Sequence, residues 1–144
     1  MDAQPVSFTV AAAQYPIGRL DSWDAYVAKV TGWVREAAEA RAQLAVFPEY
    51  GAMEMASLDE ATMGDLDGSL RFVASLAPQV DALHAELARK FGLYILAASI
   101  PVLRDGQYRN AARLFSPGGA MGVQEKLVMT RFEREHWGVH SGGP

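Results

Sequence analysis

Leu44-Ala45-Val46-Phe47-Pro48-Glu49 is the stretch on which the reading of this chain turns. Four apolar residues in succession have the composition of a fully buried strand. Pro48 ends it, because proline has no N–H for a ladder and biases Phe47 to an extended conformation. Glu49 then carries a carboxylate at the end of a buried strand, where it can point into a pocket from a rigid backbone.

Working outward, Phe8 to Ala13 reads as an earlier buried strand, broken by Pro16 and Gly18. A helix follows, with Asp21 as its N-cap and Asp24 three residues on, close to a capping box. Trp23, Tyr26, Val27, Val30, Trp33, Val34, Ala37 and Ala38 fall at helical spacing on one face. Strand, helix, strand in that order predicts a parallel pair with a crossover helix, and hence an α/β fold. After Glu49, Tyr50 to Gly68 is a long loop or short-helix region whose Met53, Met55 and Met63 fill packing gaps. Leu70, Val73 and Leu76 begin a helix that Pro78 interrupts or restarts. Val80, Leu83, Leu87 and Phe91 continue it, with Arg89 and Lys90 in the last turn and Gly92 as its stop. Leu93 to Ser99 reads as a third buried strand. Tyr108 to Ser116 and Ala120 to Leu127 flank Pro117-Gly118-Gly119, the pattern of an antiparallel hairpin.

With 144 residues, 50% hydrophobic and 21% charged, the composition is that of one soluble globular domain with a core. A net charge of −4 argues against nucleic acid or an anionic membrane as the main partner. No apolar run approaches the roughly 18 to 20 residues of a membrane span. Met1-Asp2-Ala3-Gln4-Pro5 lacks the basic-then-apolar pattern of a secretion signal, so the cytoplasm is the default compartment. The chain contains no cysteine, which excludes disulfides and thiolate metal sites within it. His84, His136 and His140 make no metal-ligand spacing, and no cofactor or metal is implied.

Five segments carry a family likeness: Ala12-Ala13-Gln14, Phe47-Pro48-Glu49, Leu66-Asp67-Gly68, Arg109-Asn110-Ala111, and Gln124-Glu125-Lys126-Leu127 with its following Phe132-Glu133. In this order the chain resembles the N-terminal half of a nitrilase-superfamily (carbon–nitrogen hydrolase) domain. The resemblance implies an α-β-β-α sandwich with mixed sheet, of which residues 1–144 supply roughly the first half of a single domain, cut short. It implies a Glu-Lys-Cys mechanism on a small-molecule amide or nitrile, amide favoured because amidases outnumber nitrilases in the family. Glu49 would be the general base, which needs burial to raise it from its reference pKa of about 4.3. Lys126 would stabilise the oxyanion of the tetrahedral intermediate. Glu133 matches the second glutamate, which positions the lysine; Glu135 is the weaker match. A homo-oligomer is implied for the complete protein.

Taken singly, each residue has a plainer reading. Glu49 would be a solvated loop residue, Lys126 a charge on a strand edge, and the run Arg131 to Glu135 a solvated mixed-charge segment. His136 and Trp137 would be a surface histidine beside a packed tryptophan. In the family the nucleophilic cysteine lies on a strand farther beyond the lysine than the residues left here. The expectation is therefore that the complete protein hydrolyses the carbon–nitrogen bond and that this chain alone does not. The competing readings are a non-catalytic nitrilase-like subunit module and a small flavodoxin-like binding domain. The latter is disfavoured by the lack of a Gly-rich loop after the first strand.

Overall fold

Helix α1 spans Trp23–Glu39 and buries Tyr26, Val30, Val34 and Ala37, the stripe its apolar spacing dictates. Its N-cap is Ser22 and not Asp21: the Ser22 hydroxyl accepts from the Ala25 N–H at 3.0 Å. A side chain one position earlier lies outside the cap geometry, while Asp24 sits in the first turn, where the helix dipole favours it. Strands β1 (Val10–Ala12) and β2 (Leu44–Val46) flank α1 and pair in parallel. The computed structural model describes residues 6–143; Met1–Pro5, read above for a leader pattern, and Pro144 lie outside them.

A 3-10 helix, Gly51–Leu58, occupies the region after Glu49. Helix α2 (Leu66–Ser75) starts a turn before the expected Leu70, because Asp65 caps it by accepting from the Gly68 N–H at 2.9 Å. Helix α3 (Ala77–Phe91) restarts with Pro78 in its first turn and stops at Gly92, whose φ of +68° suits glycine. Strand β3 (Tyr94–Leu96) then pairs in parallel with β2.

The hairpin across Pro117-Gly118-Gly119 joins β5 (Gln107–Phe115) to β6 (Met121–Glu125), antiparallel as expected. A second hairpin escaped the sequence reading. Strand β4 (Ile100–Arg104) pairs with β5 through Asp105-Gly106, both at positive φ, the backbone that a two-residue hairpin turn requires. Pro101 masks β4, although Asp-Gly was its signal. Strand β7 (Val139–His140) pairs in parallel with Tyr108 and Arg109 of β5. Ala111 of β5 faces both Ile100 and Glu125, so β3 and β4 line one edge of β5 while β6 and β7 line the other.

The result is a mixed α/β sheet with its core on one face, where Ala45, Ile95 and Phe115 pack under α1 and α3. The opposite face carries Val10, Leu44, Tyr94 and Leu114 and is open. Val10 is 50% exposed and Tyr94 44%, and Phe8, Leu44, Tyr94 and Leu114 line a hollow of about 310 Å³. The strands at Phe8, Leu44 and Leu93 are therefore not buried on both faces as their composition suggests. Only alternate residues are covered along these strands, where α1 and α3 lie against one face.

A buried ion pair ties α1 to the 3-10 helix. The Glu54 carboxylate, 0% exposed, lies 2.6 Å from Lys29 Nζ and accepts from the Tyr15 hydroxyl and, at 3.3 Å, from the Gly18 N–H. Met55 is fully buried and Met53 packs on the core, as expected of gap-fillers. Met63 does not: it is exposed on the loop before α2, away from any gap.

Candidate active site

Glu49 owes its position to β2. The Phe47 N–H still donates to Leu96 O at 2.9 Å, then Pro48 ends the pairing. Tyr50 turns the chain with a φ of +55°, an uncommon conformation for a bulky residue, held by its N–H donating to Ser99 Oγ at 2.8 Å. Lys126 follows β6 directly: its N–H donates to Asn110 O and its carbonyl accepts from the Gly142 N–H, both at 2.8 Å. Gly142 is pressed so close that a Cβ there would stand 2.3 Å from the Glu125 Cβ. Glu133 opens a π-helical turn, Glu133–Trp137. Thr130 and Glu133 bond reciprocally at the start of the helical turn that leads into it at Arg131, with the Thr130 N–H donating to Glu133 Oε2 at 2.7 Å and the Glu133 N–H to Thr130 Oγ1 at 3.2 Å.

These three supports bring one cation between two anions. Lys126 Nζ lies 2.7 Å from Glu49 Oε1, across 77 positions of sequence, and 3.0 Å from Glu133 Oε2. Asn110 Nδ2 donates to the same Glu49 oxygen at 3.0 Å. The Tyr50 hydroxyl donates to Glu133 Oε1, and Lys126 Nζ sits 5.9 Å from the Tyr50 ring centroid. Glu49 and Lys126 line a pocket of about 290 Å³ whose walls include Leu96, Ser99, Asn110, Ala112 and Gln124. By register, Leu96, Ala112 and Gln124 lie on the open face of the sheet.

Charge is unevenly sheltered. The Glu133 side chain is 3% exposed and that of Lys126 23%, but that of Glu49 is 56%. The sequence reading expected burial of Glu49; its pocket instead opens on the uncovered sheet face, and nothing among the described residues closes over it. Burial works to raise the Glu133 carboxyl, but hydrogen bonds from Tyr50, from both Thr130 groups and from Lys126 outweigh it. They hold Glu133 at about 2, against an ordinary 4.5. Burial likewise works against the Lys126 ammonium, and its bonds to Glu49 and Glu133 prevail to raise its pKa. Burial, then the bond to Glu133, push the Tyr50 hydroxyl up, so it stays a donor.

Glu49, Lys126 and Glu133 thus meet at one place, and Glu135 does not join them: it pairs with Arg131 at 2.8 Å on the surface. His136 is exposed, and Trp137 packs on Tyr50 with ring centroids 4.8 Å apart. Sequence reasoning missed three contributors. Thr130 could have been found from its Thr-x-x-Glu spacing to Glu133. Asn110 was read as part of a segment without a task, and nothing local marks Tyr50. Among the described residues no cluster of His, Asp and Glu could hold a metal ion, and no helix is long and apolar enough to cross a membrane.

A sequence model of the family described as carbon–nitrogen hydrolase matches residues 9–143. The chain belongs to the carbon–nitrogen hydrolase family. The probable hydrolase YhcX of Bacillus subtilis is 29% identical over 133 residues, covering 92% of this chain and 26% of that protein. A carbon–nitrogen hydrolase from Helicobacter pylori matches in fold with a TM-score of 0.69 at 20% identity, over 94% of this chain and 45% of that one. A Cys-to-Ser mutant of the Nesterenkonia amidase, a nitrilase-superfamily protein, matches with a TM-score of 0.70 at 18% identity, over 97% and 51%. This carbon–nitrogen hydrolase chain therefore spans about a quarter of the curated relative and about half of the solved structures it resembles.

Proposed function

We propose that this chain supplies the acid–base and electrostatic part of an active site that hydrolyses a non-peptide carbon–nitrogen bond, an amide in preference to a nitrile, in the complete protein. The observation that carries the reading is Lys126 held between Glu49 and Glu133 at the edge of an open pocket. Glu49 takes the proton of a thiol supplied from outside these residues, since the chain contains no cysteine. The thiolate attacks the carbonyl carbon, and Lys126 stabilises the oxyanion of the tetrahedral intermediate. The protonated Glu49 returns its proton to the departing amine. It then activates the water that hydrolyses the thioester. Glu133, held at about 2, stays an anion throughout and fixes the lysine. The amide preference draws on the solved relatives, one of which is an amidase with acrylamide added at its active-site cysteine.

A non-catalytic subunit role is the second reading, favoured by the missing cysteine and the exposed apolar sheet face. One experiment separates the two. The complete protein and the 144-residue chain are assayed against simple amides, nitriles and N-carbamoyl compounds. The complete protein is expected to turn over an amide and to lose at least about 100-fold with Glu49→Gln or Lys126→Ala. The chain alone is expected to be inactive. Turnover by the chain alone, or full activity after Glu49→Gln, would refute the assignment.

A further inference from the structure

Beside the ion-paired triad stands a buried asparagine. Asn110 lies in β5, is 3% exposed, and touches both members of the Glu49–Lys126 pair in different ways. Its main-chain carbonyl accepts from the Lys126 N–H at 2.8 Å, which fixes where the lysine leaves β6. Its side-chain Nδ2 donates to Glu49 Oε1 at 3.0 Å. The orientation of the amide follows from its partner: turned over, it would set Oδ1 against a carboxylate oxygen.

The two donors to Glu49 converge on a single atom. Oε1 accepts from Lys126 Nζ at 2.7 Å and from Asn110 Nδ2 at 3.0 Å, whereas Oε2 meets no donor among the described residues. Two donors occupy the lone pairs of Oε1, and those of Oε2 remain available to take a proton. We propose that Asn110 is a positioning residue that, with Lys126, commits Glu49 Oε1 to the protein and leaves Oε2 as the basic oxygen facing the pocket. This assignment rests on the hydrolase reading above.

Asn110 also carries a mark of function over stability. Its Oδ1 is buried and meets no donor among the described residues. A buried acceptor in that state destabilises a fold, and an apolar side chain of the same size would remove the defect. Lys126, though anchored by Glu133, reaches Glu49 from a flexible stem as a point charge; a second donor fixed in a strand adds the direction that holds one carboxylate rotamer.

The test uses the complete protein with Asn110→Leu and Asn110→Asp, and with Glu49→Gln as the control. Asn110→Leu is expected to lower kcat on an amide by about 10- to 100-fold, with KM little changed, because the base is displaced while binding is not. The acid limb of its kcat/KM profile is expected to move to higher pH, since the carboxylate loses a donor. Its melting temperature is expected to hold or rise. Asn110→Asp, which puts a second anion against Glu49, is expected to shift the limb in the same direction. If Asn110→Leu keeps the parent's rate and profile, Asn110 does not position the base. If it loses rate and melting temperature together with the profile unmoved, Asn110 is only structural, and the inference falls. Activity surviving Glu49→Gln would take down the hydrolase reading and this inference with it; loss there beside a silent Asn110→Leu would take down this inference alone.

Discussion

The Tyr50 hydroxyl donates a hydrogen bond to Glu133 Oε1 across 83 positions of chain. The residue that turns the backbone after the candidate base thus also grips the second carboxylate. Tyr50→Phe is expected to cost about 1.5 to 3 kcal/mol at neutral pH, the range for a bond to a charged acceptor. The bond favours the carboxylate form, so its contribution is complete above the ordinary 4.5 and fades as pH falls through about 2. Urea unfolding of both chains across that window measures the difference. A gap independent of pH would show that the hydroxyl does not act through Glu133.

Lys29 and Glu54 form another buried ion pair, and the same logic applies without any catalytic claim. Lys29→Met leaves a fully buried carboxylate without its cation and is expected to cost about 3 kcal/mol or more. Adding Glu54→Gln removes the stranded charge while leaving Tyr15 an acceptor, so the double variant should lose less than the sum of the singles. Simple additivity in urea titrations would contradict the pairing.

His84 sets a second pH window. Burial depresses its imidazole to about 4, against an ordinary 6.5, with Arg113 adding to the shift and the Val80 carbonyl and Asp81 opposing it. The folded state therefore refuses a proton that the unfolded chain accepts. Its contribution is complete above 6.5 and is lost as pH falls through about 4. Replacing His84 by leucine should flatten the stability profile in that interval by up to about one proton. An unchanged slope between the two profiles would place the acid sensitivity elsewhere.

The open sheet face should make the chain self-associate. Val10, Tyr94 and Leu114 present contiguous apolar surface, which soluble monomers rarely leave uncovered. Size-exclusion chromatography with a dye for exposed apolar surface is expected to show association and strong binding. Tyr94→Lys with Leu114→Lys should reduce both. A monodisperse, dye-silent parent chain would contradict this.

Much of this was legible in the residues because the deciding signals are local. Apolar runs ended by Pro48 or Gly92 gave β2 and α3, and the apolar stripe from Trp23 to Ala38 gave α1. The order of short motifs brought Glu49, Lys126 and Glu133 together in advance. What escaped depends on neighbours distant in sequence. Strand composition reports that a segment can be buried, not which layer covers it, so β1 was read as buried and Glu49 as sheltered. Tyr50 reads as an ordinary loop residue until Glu133 arrives from another turn, and Asn110 has no visible task until Glu49 stands beside it.

Gly142 closes on Lys126 from the far side of the chain, and it has no chemistry of its own. A Cβ there would stand 2.8 Å from Glu125 Oε2 as well as against the Glu125 side-chain stem. In a survey of every substitution along this chain, position 142 should therefore tolerate replacement about as poorly as the charged residues do. Such intolerance would be a record of space, not of reactivity. Sensitivity to substitution and participation in the reaction are different maps of this protein, and the two part company at a glycine.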